Sequence, residues 1–375
     1  MIKWSNKYSN GAWVVDDYAT AKVILSSSSF SVQRGGRWIN TSAKKIVNED
    51  LGPFKLLLKQ SVVFLDGEKH RKIRSLLIRK IRDTVSDGFI DEVDHIVDET
   101  FRQIKKNIEF NFIDSIARVI PAKSVACLMG IHANNEDLYR WSDAIADFLG
   151  APVESGKLAI EAQNAVLEMT QYFNLEYVRK KYLDDDSGLL SSISAEITSD
   201  WVRGRQVLLA QLCTLLFGGY ETTRNLIGNA VYLLMTNQDQ LDMIRKNPEL
   251  IDNCIAEVLR FESPVQYTGR LVKKEIKISG IEMQIGDLVI VDIGASNRDP
   301  SIYENPNVFN IQRKIIPHIS FGFGSHFCLG SHLSFIECRA VLRKILGSNL
   351  DVSNPMIWSK NNLYRGLSSL PITFQ

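Results

Sequence analysis

Apolar residues recur every three or four positions through long parts of the chain. Ile73, Leu76 and Leu77 form one such group. This spacing places apolar side chains on one face of an α-helix. Residues 69–129 and 136–235 are therefore predicted to consist mainly of amphipathic helices.

The longest apolar stretch, residues 207–220, is interrupted by Gln211 and Thr214. It is also shorter than the roughly 20 residues that span a bilayer. We predict a buried helix there and no membrane anchor. Residues 1–17 lack a charged leader followed by an apolar stretch and a small-residue cleavage site, so we expect no export signal.

The pattern changes to alternation of apolar and polar residues at positions 269–293, which predicts short strands joined by turns. A short strand is also predicted at Ala12–Val15, followed by a helix that begins near Asp16 or Asp17. Strand character returns at residues 370–374.

Prolines and turn residues set the bounds of the remaining elements. Pro248 opens a helix that the Ser263-Pro264 pair ends. A loop over residues 296–330 then leads to a last helix, predicted at Ser331–Leu346.

The predicted architecture is mainly α, with one large helical domain over residues 1–375 and a minor antiparallel β region. The β-rich parts are expected at about 11–40, at 265–295 and in the C-terminal strand. Hydrophobic residues make up 45% of the chain and charged residues 23%. These values are typical of a globular protein with a large buried core.

Charge and cysteine content remove several classes of function. Lys plus Arg number 44 against 43 Asp plus Glu, so the net charge of +1 provides no bulk field for nucleic acid or an anionic membrane, although it leaves a local basic face open. The cysteines are odd in number, widely spaced and without a C-x-x-C pair, which gives no disulfide framework. We expect reduced thiols and a cytoplasmic protein. The cysteines are Cys127, Cys213, Cys254, Cys328 and Cys338.

The glycine-rich stretch from 321 to 330 carries the most informative cysteine, Cys328, just before the last predicted helix. A sulfur at a helix N-terminus faces free N–H groups and the positive end of the helix dipole, which favour thiolate. Gly322, Gly324 and Gly330 allow the backbone to turn tightly and to pass close to a flat ligand. Taken alone, a cysteine in such a turn is more often a buried structural residue.

Two helical segments add chemistry. Glu257 and Arg260 are three residues apart and therefore share a helix face, although alone such a pair is usually a solvated salt bridge. Gly218 and Thr222 lie inside the apolar helix, where glycine weakens the helical ladder and a Thr hydroxyl can bond a carbonyl one turn back. We expect a local opening of the helix there. The alternative is a kinked core helix in which Glu221 has found a partner.

These segments together resemble the cytochromes P450. The pattern Phe321-x-x-Gly324-x-His326-x-Cys328-x-Gly330 is similar to the family's haem-binding loop, which implies that Cys328 is the thiolate ligand of the iron. The Glu257/Arg260 pair resembles the family's E-x-x-R helix. Its third partner is either Arg313 or the turn at residues 297–300, and the sequence leaves this choice open.

The resemblance extends from about residue 11 to residue 374, in the family's order. It departs at the front, where only about ten residues precede the Trp13-Val14-Val15 region. Soluble bacterial members usually have a further helix and strand there, so we expect a more open outer lip of the substrate channel.

The resemblance assigns the remaining site residues. Thr222 would hydrogen-bond the iron-bound dioxygen and Glu221 would relay protons, beside Gly218, where many members have alanine. Gly322 and Gly330 would lie against the haem. The propionates need cationic or N–H partners, and the candidates are His70, Arg74, Arg270 and His326, of which Arg74 and His326 match most closely.

Substrate contacts are expected from segments that the motifs do not fix. These are the loop at residues 42–63, the region 148–197 and the neighbourhood of four apolar residues. Their content is largely apolar, as expected for a site that oxidises C–H bonds. The four residues are Phe217, Val265, Tyr267 and Leu367.

The resemblance implies a haem-thiolate monooxygenase that contains haem b and inserts one atom of O2 into an apolar organic substrate. Electrons would come from NAD(P)H through a ferredoxin or flavodoxin and its reductase. We expect a monomer that performs a bacterial tailoring step in secondary metabolism, on a free or carrier-protein-bound substrate. One alternative is a haem-thiolate enzyme for desaturation, coupling or peroxide-driven oxidation, although Glu221 and Thr222 argue against peroxide dependence. An alternative of another class is a non-catalytic haem sensor.

Overall fold

The computed structural model describes residues 1–8, 11–34, 51–151, 155–197, 201–314, 316–353 and 355–375, with the backbone alone at 201–203. The chain divides into two compact units. The mixed unit comprises Met1–Arg34, Lys105–Ile113 and Asn225–Gln375, and the helical unit comprises Gly35–Ile104 and Asp114–Arg224. The expectation of one domain over the whole chain stays a prediction.

Helices account for most of the described residues, as the apolar spacing predicted. Short 3₁₀ turns at Val62–Phe64, Pro248–Leu250 and Gly324–His326 and a π turn at Ile113–Ala117 join some of them. The α-helices are α1 (Tyr18–Ser26), α2 (Gly52–Gln60), α3 (Gly67–Thr84), α4 (Asp87–Arg102), α5 (Val119–Met129), α6 (Asn135–Gly150), α7 (Gly156–Tyr182), α8 (Gly188–Ile197), α9 (Trp201–Thr236), α10 (Gln238–Lys246), α11 (Ile251–Phe261), α12 (Ile293–Ser296) and α13 (Ser331–Leu346).

The strands are short and form small sheets. They are β1 (Ile2–Ser5), β2 (Ala12–Val15), β3 (Phe30–Ser31), β4 (Glu109–Asn111), β5 (Tyr267–Val272), β6 (Ile276–Ile278), β7 (Ile281–Met283), β8 (Leu288–Asp292), β9 (Leu350–Val352), β10 (Ile357–Trp358), β11 (Leu367–Ser369) and β12 (Pro371–Phe374). The largest sheet has the order β1-β2-β8-β5-β3, and the others are β4-β12-β9, β10-β11 and β6-β7.

One pairing in the largest sheet differs from the prediction of an antiparallel β region. Strand β2 runs parallel to β8, with Trp13 opposite Val289 and Val15 opposite Val291. The remaining pairs of that sheet are antiparallel. A parallel pair needs a long connection between its strands, and here more than 270 residues separate them, so local alternation could not reveal it.

The loop predicted at residues 42–63 was wrong for its described part. Helix α2 occupies Gly52–Gln60, with Pro53 in its first turn and with Phe54 and Leu58 buried one turn apart. A Gly-Pro step usually interrupts a helix, yet proline is tolerated within the first helical turn, where its missing N–H has no partner to lose. Residues 42–50 lie outside the described part of the chain.

The core of the mixed unit lies between α1 and the largest sheet. It contains buried residues of both, including Ile24 of α1 and Val289 and Val291 of β8. Asp17 caps α1 by accepting a hydrogen bond from the Thr20 N–H at 2.9 Å, which confirms the predicted helix start. Within the described residues no helix is both long and apolar enough to cross a membrane.

Candidate active site

Cys328 lies between the 3₁₀ turn at Gly324–His326 and the first residue of α13, Ser331. Its N–H donates to the Phe321 carbonyl at 2.8 Å, which closes the loop. Its side chain is exposed, whereas those of the other four cysteines are buried or half-buried. Burial raises the pKa of the thiols of Cys213 and Cys254 to about 12. Cys328 is therefore the most accessible of the five cysteines to an external ligand.

The glycines of this loop allow its tight turns and its close packing. Gly322 and Gly324 have φ angles of +72° and +74°, in the left-handed region that glycine adopts without strain. At Gly324 a Cβ would lie 3.0 Å from the Ser26 Cα, so the loop packs directly on the end of α1. At Gly330 a Cβ would meet nothing within 4 Å. One side of the loop is thus anchored and the other side is open beside Cys328.

The Glu257/Arg260 pair on α11 is completely enclosed, since both side chains have 0% exposure. Arg260 donates to both carboxylate oxygens, each at 2.7 Å. Its Nη1 also donates to the backbone oxygens of Asn297 and Pro306 at 3.1 and 2.9 Å. The Arg313 Nε donates to Glu257 Oε1 at 3.1 Å. Both candidates for the third partner therefore contact the pair, Arg313 at the carboxylate and the 297–300 turn at the guanidinium.

Asn297 connects this pair to the cysteine loop. Its Nδ2 donates to the hydroxyls of Ser263 and Ser320 at 2.8 Å each. Its Oδ1 accepts from the Ile319 N–H at 2.9 Å, and Ser320 donates to the Leu259 carbonyl at 2.6 Å. The segment that enters the cysteine loop is thereby fixed to the end of α11, because fully satisfied buried networks are rigid.

Helix α9 carries the second predicted motif. Gly218 is exposed, and a Cβ at this position would meet nothing within 4 Å. The Thr222 hydroxyl donates to the Gly218 carbonyl at 3.0 Å, which is the bond one turn back that the sequence suggested. The helix nevertheless runs through this region without a break. The expected opening of the helix is therefore not seen, and only the side-chain bond of Thr222 is present.

Glu221 does not share the environment of Thr222. Adjacent helical residues point about 100° apart, and Glu221 is only 2% exposed whereas Thr222 is half-buried. The Glu221 Oε1 lies 2.7 Å from Arg224 Nη2, and Arg224 Nη1 lies 3.1 Å from Asp143 Oδ1 on α6. Sequence reasoning missed both partners. The Glu221/Arg224 spacing was visible, but Asp143 is 81 residues away.

The four predicted propionate partners fall in both units. In the helical unit His70 is buried on α3, and Arg74 lies one turn later, half-buried. Burial and the nearby Arg74 charge lower the pKa of His70. In the mixed unit Arg270 is buried on β5 and donates to the Gly269 carbonyl at 2.9 Å, and His326 is half-buried four residues after Gly322.

The predicted substrate residues are likewise divided. Phe217 is half-buried on α9 in the helical unit. In the mixed unit Val265 forms an isolated bridge with Tyr364, Tyr267 is half-buried on β5, and Leu367 is buried on β11.

Comparison with known proteins defines the class. The family model described as cytochrome P450 matches residues 7–355. A cytochrome P450 of Bacillus subtilis is 31% identical over 82% of this chain and 76% of its own length. The biotin biosynthesis cytochrome P450 of the same organism is 30% identical over 97% and 90%. The crystal structure of P450BioI in complex with hexadec-9Z-enoic acid ligated acyl carrier protein has a TM-score of 0.88 at 26% identity, covering 97% and 92%.

The chain therefore belongs to the cytochrome P450 family. It is a P450 monooxygenase, and membership of the family brings a haem cofactor, O2-dependent monooxygenation and electrons from redox partners. The residues present fit a haem. A single exposed thiol stands in a loop with open space at Gly330, and a thiolate there would suit the iron of a haem.

Proposed function

We propose that Cys328 would be the thiolate ligand of the haem iron and that this monooxygenase inserts one atom of O2 into an apolar organic substrate. The observation that carries the proposal is the exposed Cys328 in a loop that the enclosed Glu257/Arg260 pair and Asn297 hold in place. A thiolate-bound haem, when present, supplies an oxidant for unactivated C–H bonds.

Arg74 and His326 would hold the haem propionates, with His70 and Arg270 as further partners. Gly322, Gly330 and Gly218 would leave room for the ring, because a side chain at Gly330 or Gly218 would project into open space. Burial and the nearby Arg74 charge lower the pKa of His70, which favours the neutral imidazole over the charged one.

Thr222 and Glu221 would deliver protons to the site where O2 binds. The Thr222 Oγ1 holds a proton that it donates to the Gly218 carbonyl, on the open side of α9. The Glu221 carboxylate is nearly inaccessible to solvent and can bind and release a proton without exchange at its own surface. A peroxide-dependent enzyme has no need of such a pair, so we favour O2 and reductase-supplied electrons.

The substrate would contact Phe217, Val265, Tyr267 and Leu367. The P450BioI structure holds a fatty acid linked to acyl carrier protein, which supports a carrier-bound acyl substrate for this chain and a tailoring step in biosynthesis. Electrons would come from NAD(P)H through a ferredoxin or flavodoxin and its reductase, and the enzyme would act as a monomer.

The test is turnover under 18O2 with a ferredoxin, its reductase and NADPH. Hexadecenoyl acyl carrier protein and the free acid are compared, and each is also tried with hydrogen peroxide alone. We expect one 18O atom in the product, formed faster from the carrier-bound acid. Product formed only with peroxide would favour the peroxide-driven alternative, and haem binding without turnover of any tested substrate would favour a sensor.

A further inference from the structure

A row of charges leads from the buried Glu221 to the surface of the helical unit. Glu221 and Arg224 are 2% and 16% exposed and lie 2.7 Å apart. Arg224 also binds Asp143, which is 41% exposed, at 3.1 Å. The carboxylate of Asp143 thus stands between the buried pair and solvent.

A second arginine completes the row. The Arg118 Nη2 donates to the other Asp143 oxygen at 2.9 Å, and its Nε donates to the Tyr220 hydroxyl at 3.2 Å. Arg118 also pairs with Asp114, which is 57% exposed, at 3.5 Å. Asp143 is therefore shared by two guanidinium groups, one inner and one outer.

This arrangement fixes the state of Arg224. Burial lowers its pKa, but the Glu221 carboxylate, the Tyr220 hydroxyl and the Asp143 carboxylate together raise it above the ordinary value. The guanidinium is consequently charged at all physiological pH values. A buried carboxylate with such a neighbour is stabilised as the anion, because removing either charge would leave the other uncompensated.

We infer that Arg224 is the positioning residue of the proton relay: it holds Glu221 as an oriented carboxylate, and Asp143 holds Arg224. The inference rests on the proposed relay role of Glu221. In each cycle the Glu221 carboxylate takes up one proton that enters from water and then releases it, so the carboxylate is regenerated on release and Arg224 keeps its charge throughout. The exposed Asp143 marks the side from which that proton comes.

The groups that surround the pair come from three elements. Helix α6 contributes Asp143, Asp147 and Tyr139, and α9 contributes Tyr220. The segment before α5 contributes Asp114 and Arg118, whose guanidinium stacks on the Tyr139 ring at 4.2 Å. Among these neighbours Arg224 is the cation that contacts Glu221 directly.

The first experiment reads the protonation of Glu221 in the holoenzyme by infrared spectroscopy, without turnover. In Arg224→Gln the buried carboxyl loses its cation, which raises its pKa. At neutral pH we expect Arg224→Gln to show a protonated-carboxyl C=O band that wild type lacks. The Arg224→Gln/Glu221→Gln double variant should lack the band, and so should Arg224→Lys, which keeps the positive charge. The matched control Arg140→Gln removes an arginine of α6 that binds Asp137 and Glu168 at the surface, and should give no band. If Arg224→Gln shows no such band, or keeps it in the double variant, the inference is overturned.

The second experiment measures product formed per NADPH consumed. We expect Arg224→Gln to lower this ratio about threefold or more, Arg224→Lys to recover most of it, and Arg140→Gln to match wild type. An unchanged ratio in Arg224→Gln, while Glu221→Gln lowers it, would overturn the role of Arg224. If Glu221→Gln itself leaves the ratio unchanged, the relay role under the proposed function is wrong, and the infrared result alone decides whether Arg224 holds the carboxylate.

Discussion

Two glutamate–arginine pairs with the same three-residue spacing lie on different helices of this protein. Glu257 and Arg260 on α11 have 0% exposure, and Arg260 also donates hydrogen bonds to the backbone oxygens of Asn297 and Pro306. Glu221 and Arg224 on α9 are also largely buried, but Arg224 reaches the 41% exposed Asp143 instead. The first pair is enclosed by main chain and by Arg313, whereas the second has a partner that is open to solvent.

The difference shows that the local E-x-x-R pattern does not determine what a pair does. A pair whose arginine also donates to backbone carbonyls fixes the chain segments that supply them, here the segment that leads into the cysteine loop. A pair whose outer partner is a solvated carboxylate remains in contact with bulk protons. We therefore propose that the Glu257/Arg260 pair braces the chain before the cysteine loop, that is, holds it in place. The Glu221/Arg224 pair keeps Glu221 as a carboxylate.

The largest expected effect is on the enclosed pair. Arg260→Met leaves the Glu257 carboxylate buried beside Arg313 alone, and should lower the free energy of unfolding by about 3–5 kcal/mol. Denaturant unfolding of wild type and Arg260→Met measures this loss of free energy. The control Arg339→Met breaks a surface pair with Asp252 and should cost less than about 1 kcal/mol. Equal losses in the two variants would contradict the bracing role.

Arg224→Gln should cost less than Arg260→Met. Glu221 can take up a proton when its cation is removed, and Asp143 is partly hydrated, so we expect a loss of about 1–3 kcal/mol in the same unfolding experiment. A loss equal to that of Arg260→Met would mean that the second pair is as closed as the first.

The segment braced by the enclosed pair also contains a histidine whose titration reports its burial. Burial lowers the pKa of His318 to about 4 from 6.5. The unfolded state therefore binds more protons between these values, and stability should fall as the pH drops from about 6.5 toward 4. Denaturant unfolding of wild type and His318→Asn at several pH values should show a difference on the order of 1 kcal/mol that appears below pH 6.5. A difference in the free energy of unfolding between the two proteins that stays constant from pH 6.5 to pH 4 would contradict the lowered pKa of His318.

The smallest effect concerns salt. At 1 M ionic strength the screening length is only about 3 Å, and partly exposed pairs are screened more than buried ones. The cost of Arg224→Gln should shrink by a few tenths of a kcal/mol in 1 M NaCl, whereas the cost of Arg260→Met should stay the same. Unfolding curves at low and high salt test this, and equal salt dependence would remove the distinction between the pairs.

The sequence predicted best those features that depend on residues close together in the chain. The helix Ser331–Leu346, the N-cap at Asp17 and the back-bond of Thr222 all follow from residues within one turn. What sequence reasoning missed depends on distant partners. The β2–β8 parallel pair and the contact of Arg224 with Asp143 join segments far apart in the chain.

The Glu221/Arg224 pair shows a different limit. Its spacing is identical to that of Glu257/Arg260, yet the resemblance to the family directed attention to Glu221 and Thr222 as adjacent residues of one site. On a helix, adjacent residues face different surroundings. Geometry separates a hydroxyl on the open side of α9 from a carboxylate that points into the helical unit.

The most direct test of the central claim is the optical spectrum of the reduced protein with carbon monoxide, recorded for wild type, Cys328→Ser and the control Cys127→Ser. We expect the Soret band at the long-wavelength position that marks thiolate ligation in wild type and in Cys127→Ser, and its loss in Cys328→Ser with the fold retained by circular dichroism. A thiolate band that survives in Cys328→Ser, or a wild-type protein that binds no haem, would contradict the assignment of Cys328.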